Sequence, residues 1–168
     1  DALATSLVLA EALRRQGFDL VLTGMASTDA EMSVVPAMVA DRLDAALVSF
    51  ASALTVDPQA GTVTVQRDGE GAVDEVVAQL PAVVAVTDQA GEARYPAFRA
   101  IMAAKKKPVT TWSLTDLGIS PDQVGLAASC AVVTQAVPAP ERQAGTVLVD
   151  EGDAAVQVAD FLTTRGFL

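Results

Sequence analysis

Apolar side chains recur every three or four positions at the start of the chain. The repeat comprises Leu3, Leu7, Ala10 and Leu13. This spacing is typical of an amphipathic helix, which the pattern predicts over residues 1–16. Arg14 and Arg15 fall in its last turn, where cations oppose the negative end of a helix dipole. Gly17 is suited to the position that closes the helix.

A short apolar run, residues 18–24, follows and predicts a buried strand. A helix followed by a strand is half of a βαβ unit, so the pattern favours an α/β fold with a mostly parallel sheet. The polar loop 24–33 leads to a second predicted helix, residues 34–43. Pro36 is tolerated in the first turn of that helix, and Ser33 is a suitable N-cap.

The middle of the chain alternates between strand and turn patterns. Residues 47–56 predict one strand, and the Pro- and Gly-containing turn 57–61 connects it to the period-two segment 62–67. These two strands are expected to pair as an antiparallel hairpin. Residues 73–79 continue the pattern, and the nearly unbroken apolar run 80–87 predicts a central strand buried on both faces.

The last third of the chain has a different organisation. Residues 129–135 predict another strand, in which the single cysteine, Cys130, is expected to be buried. Residues 137–145 are Pro-rich and extended, and 153–165 predict an amphipathic helix. We therefore expect an α/β domain over 1–135, followed by an arm and helix over 136–168.

A basic helix is predicted after Pro96, with Lys105, Lys106 and Lys107 at its carboxyl end and Pro108 as its stop. Three large apolar side chains share one face of this helix: Phe98, Ile101 and Met102. Residue spacing alone allows either a docking element or a helix that packs into the core.

Composition narrows the possible functions. The 168 residues are 51% hydrophobic and carry a formal net charge of −10, which disfavours binding to nucleic acids and to anionic membranes. The absence of histidine removes histidine-based catalytic triads and histidine-ligated zinc. No apolar run approaches the roughly 18–20 residues that cross a bilayer. No catalytic residue and no metal site are predicted.

The loop 24–33 is the candidate ligand site because it follows a strand and opens a helix. Open α/β sheets bind ligands at that edge, and a helix N-terminus offers free N–H groups to a phosphate. Ser27, Thr28 and Ser33 could add hydroxyl donors, and Asp29 could hold a ribose or the loop itself. The loop has neither a G-x-G-x-x-G nor a Walker A pattern, so an ordinary strand–helix connection is the alternative.

Three segments resemble the electron transfer flavoprotein β subunit. The run RYPAFRAIMAAKKKP, residues 94–108, closely resembles the signature segment of that family. The run FDLVLTGMASTD, residues 18–29, is similar to its nucleotide loop, and residues 65–84 follow its pattern. The resemblance covers essentially the whole chain and implies a fragment that lacks the N-terminal portion. It also implies a doubly wound, adenine nucleotide α-hydrolase-like sheet.

The resemblance implies a structural AMP in this subunit, or a second FAD in electron-bifurcating members. The main FAD would belong to the α subunit. The residues expected to line the nucleotide are Gly24, Ala26, Ser27, Thr28, Asp29, Ser33, Val34 and Val35.

The resemblance also implies partners. Phe98 matches the apolar anchor of a loop that recognises acyl-CoA and other flavoprotein dehydrogenases, with Tyr95, Ile101 and Met102 in support. Asp68 matches an acid that pairs with an α-subunit arginine. The C-terminal arm and helix would join the α subunit.

An electron carrier without catalytic residues of its own is therefore the expected function. It would act in fatty acid oxidation upstream of a quinone oxidoreductase. The implied location is the bacterial cytoplasm, or the mitochondrial matrix in a eukaryote. The alternative is a free-standing adenine-nucleotide-binding module of the stress-protein type. A third possibility is a structural protein with a buried Phe98 helix.

Overall fold

A computed structural model describes residues 1–142 and 145–168. The chain divides into two units, Asp1–Val132 and Val133–Leu168. The first unit contains four α-helices and six strands within its described residues: α1 (Ala2–Gln16), β1 (Leu20–Gly24), α2 (Val35–Leu43), β2 (Ala46–Ala51), β3 (Ala53–Asp57), β4 (Thr62–Gly69), β5 (Ala72–Gln79), β6 (Ala82–Val86), α3 (Phe98–Ala104) and α4 (Gly125–Ala128). The second contains α5 (Ala154–Thr164).

A parallel three-stranded sheet in the order β1–β6–β2 lies at the centre of the first unit. Four of the five β6 residues are buried, which confirms the central strand predicted from its apolar run. Successive side chains of a strand point to opposite faces. Val83 accordingly packs with Val39 and Ala40 of α2, whereas Val84 packs in a second cluster on the other face.

An antiparallel sheet, β3–β4–β5, covers that second face. The predicted hairpin is confirmed by the pairing of β3 with β4, and β5 adds a third strand through register pairs such as Val65 with Val76. Val63 and Val65 of β4 are fully buried against β2 and β6. The α/β class and the mixture of parallel and antiparallel strands are thus confirmed.

The single strand predicted over 47–56 is wrong, because the chain changes sheets within it. β2 belongs to the parallel sheet and β3 to the antiparallel sheet, with only Ser52 between them. A register irregularity separates Val48 from Ala51, and Phe50 has a φ of 61°. The Ser52 N–H donates to the Gln66 carbonyl at 2.8 Å, which starts the second sheet. The apolar pattern continues through the break, so the sequence conceals it.

The α1 helix and its Gly17 cap are confirmed, but its buried face coincides with the predicted one only in part. The buried residues are Ala2, Ser6 and Ala10, whereas Leu3 is 51% exposed. Small residues allow α1 to approach α2 closely. The Arg42 Nε of α2 donates to the Ser6 hydroxyl at 3.0 Å, which explains why a serine is buried there.

The strand predicted over 129–135 is absent, and Cys130 is exposed rather than buried. The Ser129 hydroxyl donates to the Ala131 carbonyl at 2.6 Å and accepts from the Ala131 N–H at 3.3 Å. Such local bonds between a side chain and the backbone compete with a strand ladder. An apolar run without a neighbouring strand therefore stays irregular.

In the second unit, the predicted C-terminal helix is confirmed as α5. Outside α5, the residues that the structure describes there form no helix or strand. Val156 and Phe161 of α5 are 62% and 45% exposed, so its apolar side chains remain largely uncovered. None of the helices in the described parts of the chain has the length and apolar character needed to cross a membrane.

Candidate functional site

A cavity of about 840 Å³ lies in the first unit beside β1. Its walls come from α1, β1, the loop that follows β1, and the first turns of α2. The walls are mostly apolar, with polar side chains contributed by α1, by β1 and by the loop. A mainly apolar cleft with a few polar groups at the carboxyl end of a parallel strand is the usual form of a small-ligand site in an α/β protein.

The loop between β1 and α2 is shaped by its own hydrogen bonds. The Glu31 N–H donates to the Ser27 carbonyl at 2.9 Å. A hydrogen bond from the Ser27 side chain, followed by backbone N–H groups of the loop, lowers the pKa of Asp29 below its ordinary value. Asp29 is therefore an ionised acceptor at neutral pH. An anionic acceptor suits ribose hydroxyls better than it suits phosphate.

The predicted Ser33 cap is wrong. The N-cap of α2 is Val34, and no side chain caps the helix. A capping residue needs an extended backbone, whereas Ser33 has a φ of 53°. The Ser33 side chain instead contributes to the cavity wall.

The structure brings six of the eight predicted nucleotide residues to the cavity wall: Gly24, Ala26, Ser27, Asp29, Ser33 and Val35. Thr28 and Val34 do not line it.

Sequence reasoning missed the α1 side of the cavity. Four of the lining residues there are spaced four, three and four positions apart: Thr5, Leu9, Ala12 and Gln16. This is also helical spacing, so a second stripe on α1 could have been recognised. Two further lining residues, Thr23 and Trp112, have no such signal. Thr23 is one more residue of an apolar strand, and Trp112 is brought to the cavity only by the fold.

Trp112 is held against α1 by Arg15. The Arg15 guanidinium lies 5.5 Å from the centre of the Trp112 ring and donates to the Asp116 carbonyl at 2.6 Å. Within the same turn, the Ser113 hydroxyl and N–H donate to the Asp116 carboxylate at 2.7 and 2.8 Å. These bonds, with a smaller contribution from Arg15, lower the pKa of Asp116. We name residues 112–119 the Trp112 segment.

The predicted partner-recognition residues form an exposed surface at α3. Tyr95 is fully exposed, Phe98 is 76% exposed, and Ile101 and Met102 are 40% and 43% exposed. We name these four residues the α3 surface. α3 begins at Phe98, two residues after Pro96, and ends at Ala104 before the three lysines. The exposure of Phe98 contradicts the alternative in which this helix packs into the core.

Asp68 lies elsewhere, near the end of β4 and opposite Val73 of β5. It is exposed, and the neighbouring Arg67 forms its ion pair with Asp74, at 3.0 Å, rather than with Asp68. Residues 1–142 and 145–168 contain no cluster of three or more Cys, Asp or Glu side chains that could hold a metal ion.

The fold and the cavity define an α/β protein whose candidate ligand site opens at the carboxyl end of a parallel strand. Its family follows from sequence comparison. The electron transfer flavoprotein domain model matches residues 1–117. The chain belongs to the electron transfer flavoprotein family.

Relatives specify the subunit that the chain resembles. It is 38% identical over 166 residues to the electron transfer flavoprotein subunit beta of Mycobacterium leprae. It is 36% identical over 166 residues to the subunit of that name from Mycobacterium bovis and to that from Mycobacterium tuberculosis. Each match covers 98% of this chain and 62% of the relative. The chain thus spans under two thirds of the length of these curated relatives.

Proposed function

We propose that the chain acts as the β subunit of an electron transfer flavoprotein. In this role it binds AMP structurally and anchors dehydrogenases, so that the FAD of an α subunit can accept and pass on electrons. The chain contributes binding and positioning and has no catalytic residue of its own. The observation that carries the proposal is the exposed, apolar α3 surface on a chain of this family.

The cavity supports the nucleotide part of the proposal. Its apolar walls suit a purine ring, and Ser27, Asp29 and Ser33 supply hydroxyl and carboxylate groups for the polar part of a nucleotide. AMP is the proposed occupant, with a second FAD in its place if the protein bifurcates electrons. AMP would supply no redox chemistry; its role is to brace the loop between β1 and α2.

The α3 surface supports the anchoring part. An exposed phenylalanine and its apolar neighbours gain free energy when a partner covers them, about 25 cal/mol for each Å² removed from water. A few such side chains suit a small, transient redox interface. A free-standing module of the stress-protein type has no use for this surface, so its exposure favours the electron-carrier proposal.

The nucleotide is tested by heat-denaturing the protein purified with its α subunit and identifying the released nucleotides by liquid chromatography. We expect an adenine nucleotide in about equal amount to the protein, in addition to the FAD. Recovery of FAD alone, at one per heterodimer, would contradict nucleotide binding in this chain.

Phe98→Ala tests the anchor. We expect KM for a dehydrogenase to rise about tenfold or more because one apolar contact is lost at the centre of a small interface. Flavin content and thermal stability should stay unchanged, since Phe98 is 76% exposed. The measurement is the rate of flavin reduction as dehydrogenase concentration is varied.

Two variants control this experiment. Phe98→Leu keeps a large apolar side chain and should retain most of the activity. Phe167→Ala removes a phenylalanine of nearly equal exposure, 75%, outside the α3 surface. The anchor role fails if Phe98→Ala behaves like the wild type or if Phe167→Ala raises KM equally.

A further inference from the structure

Thr23 carries a buried hydroxyl that finds no partner. Among residues 1–142 and 145–168, its Oγ1 is the buried side-chain polar atom for which the structure shows no hydrogen bond. Buried hydroxyls in folded proteins are almost always bonded, so each exception calls for an explanation. Ser6, the buried serine of α1, illustrates the rule because it both donates and accepts hydrogen bonds.

The position of Thr23 points to a ligand. Thr23 precedes Gly24 on β1, pairs with Ala85 of β6, and forms part of the cavity wall. By strand alternation it shares a face with Val21, which packs beneath α2. The side chain at this position therefore has apolar neighbours to pack against. A valine would fill the same volume as the threonine without leaving an unbonded hydroxyl.

We propose that Thr23 is a binding residue of the nucleotide cavity, whose hydroxyl bonds to a polar group of the bound adenine nucleotide. This inference rests on the proposed function. Rotation about the Cα–Cβ bond exchanges the places of the hydroxyl and methyl groups of a threonine. By this rotation, the hydroxyl can reach the position on the cavity wall from which it faces a ligand.

The proposal predicts opposite effects of Thr23→Val on the free and the bound protein. Without nucleotide, replacing an unbonded buried hydroxyl by a methyl group of the same shape should leave stability unchanged or raise it. With nucleotide, the lost hydrogen bond should weaken AMP binding about five- to tenfold. Thr23→Ser keeps the hydroxyl and should bind AMP within about twofold of the wild type.

The experiment uses the protein in complex with its α subunit, after bound nucleotide has been removed. AMP affinity is measured by titration calorimetry, and the melting temperature is measured without AMP. Weaker binding by Thr23→Val alone, with no loss of melting temperature, supports the inference. Equal AMP affinity of the wild type and Thr23→Val overturns it.

Two other outcomes separate this inference from the proposed function. If Thr23→Val melts earlier and binds AMP more weakly in proportion, the hydroxyl serves the fold rather than the ligand, and the inference is overturned. If the wild type itself does not bind AMP, both the nucleotide part of the proposed function and this inference fall.

Discussion

Asp116 illustrates how a single residue can organise a turn. Its carboxylate accepts two hydrogen bonds from Ser113, while its N–H donates back to the Ser113 hydroxyl at 3.2 Å. These bonds favour the ionised form, which is why the folded protein lowers the pKa of Asp116 below 3.8. A group with a lowered folded pKa stabilises the fold above its unfolded pKa, and that contribution is lost as the pH falls through the folded pKa.

Asp116→Asn should therefore lower stability at neutral pH by a small amount, and the difference from the wild type should shrink as the pH falls below the ordinary pKa of an aspartate and vanish below the lowered folded pKa. Urea unfolding at pH 7 and near pH 3 measures the free energy of unfolding of the wild type and of the variant at each pH. Asp122→Asn, at another exposed aspartate, is the control and should show a smaller difference at pH 7. A difference between Asp116→Asn and the wild type that grows on acidification would contradict this explanation.

At the residue scale, the sequence predicts the polar loop of the cavity but not its other walls. Ser27, Asp29 and Ser33 are recognisable because they follow an apolar strand and precede a helix. Trp112 lies 88 positions after Gly24 on an irregular segment, and its place at the cavity depends on Arg15. The missing partner of Thr23 is a property of three-dimensional packing, which no local pattern encodes.

At the element scale, the contact between α1 and the Trp112 segment depends on one side chain. Arg15→Ala removes both the hydrogen bond to the Asp116 carbonyl and the cation–π contact. We expect the free energy of unfolding to fall by about 1 kcal/mol or less, because Arg15 is exposed. Trp112 is the only tryptophan, so its fluorescence should shift to longer wavelength as the segment loosens.

Arg14→Ala provides the control for that experiment. Arg14 is the neighbouring arginine of α1, but it bonds to Glu11 and to the Arg42 carbonyl. Its removal should leave Trp112 fluorescence unchanged. Equal spectral shifts in the two variants would show that the Trp112 segment does not depend on Arg15.

Periodicity predicts an element well when its neighbours reinforce the local pattern. α1, α2 and β6 are confirmed because each buries an apolar face or a whole apolar run within its own stretch of sequence, whereas α5 forms with its apolar side chains largely exposed. The 129–135 run has a similar composition but no strand beside it, and a strand requires a partner for its backbone groups. The change of sheet at Ser52 is also invisible locally, because both faces of that strand remain apolar.

At the scale of the whole molecule, Asp68 is the predicted link to the α subunit. In the proposed heterodimer its exposed carboxylate would pair with an arginine of the α subunit and would bias the orientation of the α-subunit domain that holds the FAD. Asp68→Ala should shift the distribution of orientations, measured by small-angle X-ray scattering of the heterodimer. Asp74→Ala, which removes the ion pair of Arg67, is the control and should leave the scattering profile unchanged.

Indistinguishable profiles for the wild type and Asp68→Ala would refute the link. The proposed contacts of this chain use different residues on different elements. Asp68 lies on β4, the nucleotide cavity lies beside β1, and the α3 surface follows β6. Each contact can therefore be altered by substitution without removing the others.

The passage of one continuous stretch from β2 to β3 also constrains how chain length can vary during evolution. Only Ser52 separates the two strands, and an inserted or deleted residue there would reverse the face that Leu54 presents to the core. The turns after β3 and β4 have no such restriction. Length variation among homologues should therefore concentrate at 58–61 and 70–71, leaving the junction at Ser52 fixed in length even where its residues differ.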